Sequence, residues 1–240
     1  MNLEKYRKKE TENYLFFVLP NSLAETDIDK ITDFQEKCFL KVCDILELKS
    51  SLKINCIFFN DPESCGRSYN INAEPDEKLC INAFCYTPNF IHATYNKKIK
   101  AIGHHEIAHL LLFEKLKGRT PNLILNEGFA VFCDDNWWGL DLHMVAKFIL
   151  QNNLIDTGKV FHSESFFSEN NKYSYPVLGS YCKWQIMVHG VDGYIEQLKE
   201  SYNDPHFEIQ ELAGYISFLE SIDLTDSDYK QINTKLLISG

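Results

Sequence analysis

The residues best suited to chemistry are His105-Glu106-Ile107-Ala108-His109 and, further on, Asn126-Glu127-Gly128-Phe129-Ala130. Four residues turn an α-helix by about 400°. The imidazoles of His105 and His109 therefore project from nearly the same side and can grip one metal ion. Glu106 lies about 100° further round the helix. It cannot easily join that grip, but it can reach a water on the metal. Glu127, on a following helix, can supply a third ligand. Two histidines and one glutamate with an open fourth position are the ligand set of a catalytic zinc site, one ion per chain.

The element that must position the histidines is legible in its flanks. Ile99-Lys100-Ala101-Ile102 and Leu110-Leu111-Leu112-Phe113 are largely apolar and lack proline, which predicts a buried helix over 98–116. Imidazoles and a carboxylate on such a face are costly to bury unless something binds or neutralises them. Asp134 and Asp135 are rival acidic donors two turns beyond Glu127 on the same predicted helix. A supporting or solvated role suits them better. The metzincin pattern needs a glycine and a third histidine soon after the second, and Leu110 to Phe113 occupy that stretch.

The segment from Ile102 to Leu112, followed by Leu123 to Ala130, resembles the gluzincin metallopeptidases. Asn126 to Ala130 is especially similar to the aminopeptidase N group and to the small peptidase MA-like proteins. The resemblance covers about 98–138, continues more weakly over 172–200 and is absent before 78. It implies that His105, His109 and Glu127 bind zinc, that Glu106 is the general base, and that the substrate is a peptide or protein. Seventeen residues separate His109 from Glu127, slightly fewer than in the best-known gluzincins; a turn over Gly118 to Asn122 absorbs the difference. The resemblance also implies a tyrosine donor to the oxyanion. Tyr175 is the candidate, with Tyr181 and Tyr173 behind it; packing with Trp184 and Phe167 is the structural alternative. It implies that the last strand before the motif helix, here 79–86, borders the cleft and pairs with an extended substrate.

Two departures from the family pattern matter. Thermolysin-like sites carry a carboxylate one turn after the ligand glutamate, and position 131 is Val131. Support for a metal-bound histidine must then come from Asp134, Asn126 or a backbone carbonyl. The glycine-alanine-methionine-glutamate-asparagine element that holds a substrate's free amine in aminopeptidase N is absent, with Ile81-Asn82-Ala83 in the corresponding strand. An endopeptidase, or a peptidase for one narrow substrate, fits better than a broad aminopeptidase. The competing reading is a catalytically silent zincin-fold binding or regulatory protein with a structural metal. The intact Glu106 argues against it, because structure alone needs only ligands.

The other histidines are less promising as site residues. His104 points to another side of the helix, His143 suits a surface or cap position, His162 and His189 are remote candidates for the oxyanion, and His92 falls in a loop leading to the motif helix.

The elements behind this site read as α+β. Strands are expected at 14–19, 52–59 and 79–86, a helix at 27–48 capped by Asp27, and a loop over 61–77 with a short strand at 67–72. The stripe of the 27–48 helix is Ile28, Ile31, Phe34, Cys38, Val42, Ile45 and Leu46. Helices are expected at 123–136, 141–152, 176–189, 191–202, 206–222 and 226–237. The implied architecture is zincin-like within a single domain of 240 residues. A small mixed sheet in an α/β lobe (1–97) precedes a mainly helical lobe (98–240), with the metal between them.

Composition bounds the partners. Lys plus Arg is 24 and Asp plus Glu is 34, a net charge of −10, which argues against nucleic acid and anionic membranes. The charged start before Tyr14-Leu15-Phe16-Phe17-Val18-Leu19 has no signal-peptide run, so a cytoplasmic location and free thiols at all eight cysteines are expected. Composition does not give the oligomeric state.

Overall fold

The computed structural model describes residues 3–70, 72, 74, 79–202, 204 and 207–238. They fall into two compact units, Met1–Gly118 and Arg119–Gly240. The molecule is mixed α and β, with a small mixed sheet first and a mostly helical C-terminal part.

The first unit is built on five strands: β1 (Arg7–Glu10), β2 (Tyr14–Val18), β3 (Ile54–Phe59), β4 (Ala83–Tyr86) and β5 (Phe90–Thr94). Their order is β1-β2-β3-β5-β4. The central three are parallel, with Phe16 opposite Cys56 and Cys56 opposite Ile91, and the two edges are antiparallel. Parallel neighbours need a crossover. Between β2 and β3 the one-turn α1 (Leu23–Thr26) and the long α2 (Ile28–Ile45) supply it; between β3 and β5 it is α3 (Pro62–Tyr69) with β4. Both faces of the three central strands are largely buried. Phe17, Ile57, Phe59 and Phe84 cluster with Cys65 of α3, while Tyr14 stacks on Phe16 and meets Phe39 of α2 edge-on. Such strands read as continuous apolar runs rather than alternating ones.

Several expectations in this unit are corrected. The strand expected at 79–86 begins only at Ala83, and β5 rather than β4 is the last strand before the motif helix. The stretch read as loop contains α3. Asp61 caps it by accepting the Ser64 amide at 2.7 Å, and Pro62 opens it, both ordinary helix-start signals. Gly66 inside it breaks the apolar pattern because the helix passes against Leu79: a Cβ there would lie 2.3 Å from the Leu79 carbonyl oxygen. Positions 71, 73 and 75–78 of the expected loop and strand lie outside the described residues. The segment holding His92 is not a loop but β5, a five-residue strand with a histidine at its centre.

The motif helix α4 (His105–Lys115) starts later than expected. Asn96 turns the chain back, its side-chain oxygen accepting the Lys98 and Ile99 amides at 2.8 and 2.9 Å. Gly103 then takes φ +148°, a region open to glycine. These local bonds outcompete helix over 98–104.

The second unit contains α5 (Leu123–Asp134), the hairpin of β6 (Asn136–Trp137) and β7 (Leu140–Asp141), α6 (Leu142–Gln151), α7 (Thr157–Val160), α8 (Asn171–Glu200), α9 (Leu212–Glu220) and α10 (Asp226–Ile238). The hairpin turns through Trp138 at φ +54° and Gly139 at φ +81°, the left-handed pair that two-residue hairpin loops demand. α5 and α6 both pack on α8. α8 begins five residues before the expected start at Pro176, because Asn170 caps it by accepting the Lys172 amide. Its break comes at Gly190, between the two helices expected there. α9 begins at Leu212 rather than 206, a position outside the described residues.

Candidate metal centre

His105 and His109 are the first and fifth residues of α4. The helical repeat places their Nε2 atoms 3.3 Å apart, with ring centroids 4.9 Å apart and planes at 86°. Glu127 is the fifth residue of α5. One ligand atom from each of His105, His109 and Glu127 lies within 4.8 Å of the others, and all three side chains are half-buried. This group is able to hold one metal ion. Among the described residues Asp134 and Asp135 are not part of it; Asp135 pairs with Lys183 at 3.4 Å.

The elements behind these ligands are held in two different ways. α4 buries Ile107, Ala108, Leu110, Leu111 and Leu112, so the expected apolar flank is real on its C-terminal side. Its far end is fastened by Lys115 Nζ donating to the Leu46 carbonyl at 2.7 Å and by Ser50 donating to Glu114 at 2.5 Å. α5 is capped by Asn122, whose side chain accepts the Ile124 amide at 2.9 Å while its own amide donates to Ser201 Oγ at 3.0 Å. Gly128, next to Glu127, lets α8 come close: a Cβ there would sit 2.9 Å from the Leu178 carbonyl oxygen. Tyr194 donates to the Leu125 carbonyl at 2.7 Å.

Val131 now has a physical account. It is buried against α8, and a Cβ on Gly179 would meet its Cγ1 at 2.4 Å. A carboxylate at this seam would be desolvated against glycine. Position 131 belongs to helix packing here.

Glu106 is the second residue of α4 and half-buried. Its charge is felt by Cys65, whose thiol is pushed up to about 12, foremost by burial and then by Glu106 and Asp61, against a lowering Thr94 hydrogen bond. None of the eight cysteines is in a disulfide.

Tyr175 lies in the N-terminal part of α8, half-buried, its ring stacked on Trp137 at 6.5 Å and tilted against Phe166 at 5.4 Å. Tyr181 is a core residue: its hydroxyl donates to the Gln210 carbonyl at 2.8 Å and accepts from Gln185, and burial raises its pKa. It is not available to an oxyanion.

The remaining histidines are placed as follows. His92 is buried on β5, its Nδ1 2.7 Å from Ser68 Oγ, and burial lowers it to about 4. His143 is not a surface residue; its Nδ1 is 2.8 Å from Ser180 Oγ, and burial first of all lowers it to about 4. His189 pairs with Glu211 at 2.8 Å, and His162 is exposed.

Sequence reasoning missed the role of α2. Asp27 occupies the N-cap position but makes no capping bond. It accepts the Tyr95 hydroxyl at 3.1 Å and faces Lys100 at 3.9 Å; burial, then this hydrogen bond and charge, push Tyr95 up to about 12. Phe34, expected in the core stripe, is 42% exposed and meets His104 edge-on at 6.4 Å, while Gln35 is buried instead. Among the described residues no helix is long and apolar enough to cross a membrane.

No protein-family model matches this chain, and no curated protein matches it.

Proposed function

We propose that the chain is a zinc-dependent peptidase in which Glu106 serves as general base. The observation that carries this reading is the His105, His109 and Glu127 group with Glu106 beside it on α4. Two nitrogens bound at 2.0–2.1 Å to a tetrahedral zinc stand roughly 3.3 Å apart, and the two Nε2 atoms stand at that distance. The donor set of two imidazoles and one carboxylate is that of hydrolytic zinc.

A zinc ion held by these three residues would supply Lewis acidity and bring the pKa of a water down to about 7. Glu106 accepts the proton of the attacking water at its carboxylate and returns it to the leaving amine nitrogen. Tyr175 is the proposed hydrogen-bond donor to the oxyanion of the tetrahedral intermediate. β4, at the end of the sheet order and antiparallel to β5, is the proposed edge for an extended peptide.

Elemental analysis combined with cleavage of a peptide library tests the whole reading. The expected result is one zinc per chain, loss of metal in His105→Ala and Glu127→Ala, and retained zinc with at least about 10²-fold slower cleavage in Glu106→Gln. Full zinc retention in both ligand variants would sink the metal assignment. Metal binding without cleavage by the wild type would point to the silent binding protein instead.

A further inference from the structure

The start of α4 is tied to α2 by a buried amide side chain. Gln35 Oε1 accepts the backbone N–H of Gly103 at 2.9 Å, and Gln35 is 2% exposed. Its own backbone carbonyl accepts the buried Tyr14 hydroxyl at 3.3 Å, which ties this turn of α2 to the sheet. Gly103 stands two residues before His105 and three before Glu106, at φ +148°. One residue further along α2's surface, Phe34 meets His104. Neither contact involves an apolar core contact of α4 itself. Together they fix the two residues that lead directly into the first ligand.

We propose that Gln35 is a positioning residue for the metal centre: by holding the Gly103 amide it sets the position of the first turn of α4, and so of His105 and Glu106. This rests on the metal-centre reading above. The physical logic is that of outer groups that orient ligands, whose removal typically weakens metal binding 10–100-fold. A buried glutamine oxygen with a backbone donor fixes the chain just ahead of that first turn from another helix.

The test is a zinc competition titration against a chelator on the full chain. Gln35→Met preserves length and apolar contact but removes the acceptor, and is expected to weaken zinc about 10–100-fold. Gln35→Glu restores an acceptor oxygen and is expected to recover most of that loss. Thr32→Val is the control: it deletes another hydrogen bond on α2, from the Thr32 hydroxyl to the Asp29 carbonyl at 2.9 Å, and should leave zinc affinity unchanged. Equal affinity in wild type and Gln35→Met would overturn the proposal, as would an equal loss in Thr32→Val. If the wild type itself binds no metal, the metal-centre reading fails instead. Should Gln35→Met not fold, amide hydrogen exchange decides: the Gly103 amide of the zinc-loaded wild type is expected to be protected, and exchange at the rate of an exposed amide would overturn the proposal.

Discussion

The helices α4 and α5 carry the residues of the candidate metal group, and different contacts set the approach to each. The chain leading into α4 is held through hydrogen bonds and edge contacts from α2 and the residue before it: Gln35 on Gly103, Phe34 on His104, Asp27 on Tyr95. α5 adds to its Asn122 cap and Tyr194 bond a steric fit, with Gly128 and Gly179 letting it and α8 approach closely. A polar tether can be cut by one substitution while the fold survives, because a net hydrogen bond is worth only about 1 kcal/mol. A glycine seam cannot be altered without moving a helix, since interiors are close-packed. In the proposed reading, the polar tether ahead of α4 is the place to tune the centre, and the α5 seam the place to alter stability.

The largest effect should come from chemistry carried by the buttress of α5. Tyr175→Phe is expected to lower kcat by 10²–10³-fold, the usual effect of removing one oxyanion donor, with little change in KM. Steady-state kinetics on a cleaved peptide checks this. An unchanged kcat would return Tyr175 to a packing role between Trp137 and Phe166. Smaller, and felt in stability, is the seam. Gly128→Ala places a methyl 2.9 Å from the rigid Leu178 carbonyl oxygen. Overpacking of this kind costs roughly 1–3 kcal/mol, against a helix-propensity gain of up to about 1 kcal/mol, for a net loss of about 1–2 kcal/mol. Thermal unfolding should show a lowered Tm; a Tm at or above that of the wild type would mean that α5 and α8 are not held by this contact.

The smallest effect does not involve the proposed metal ligands. His92 in the first unit and His143 in the second each contact a serine hydroxyl and are lowered to about 4 by burial. For His143 the nearby Asp141 charge opposes that lowering and Lys183 adds to it. A folded pKa below the unfolded value of about 6.5 favours the neutral ring in the native state. The stabilisation is present above pH 6.5 and is lost as pH falls from 6.5 to about 4. Each histidine adds a positive slope in that window, and half-buried His143 adds well under the fully buried limit of about 1.4 kcal/mol per pH unit, because solvent screens it. Urea unfolding of chelated protein at stepped pH should show this slope reduced in His143→Gln; identical slopes would mean that His143 titrates normally.

The sequence by itself determined what depends on local periodicity and chemistry. The four-residue spacing of His105 and His109, the acidic Glu127 on a following helix and the strands at β2 and β3 all follow from short-range geometry. Tertiary structure decided the rest. Val131 looked like a missing carboxylate because sequence does not show that Gly179 packs on it. His92 sat in an apparent loop because a strand buried on both faces has no alternation to read. Phe34 and Gln35 exchanged their expected places because α2 must meet the polar chain at Gly103 and His104 as well as the apolar sheet. The bond from Gln35 to Gly103 joins residues 68 apart in the chain, and only folding brings such partners within hydrogen-bond range.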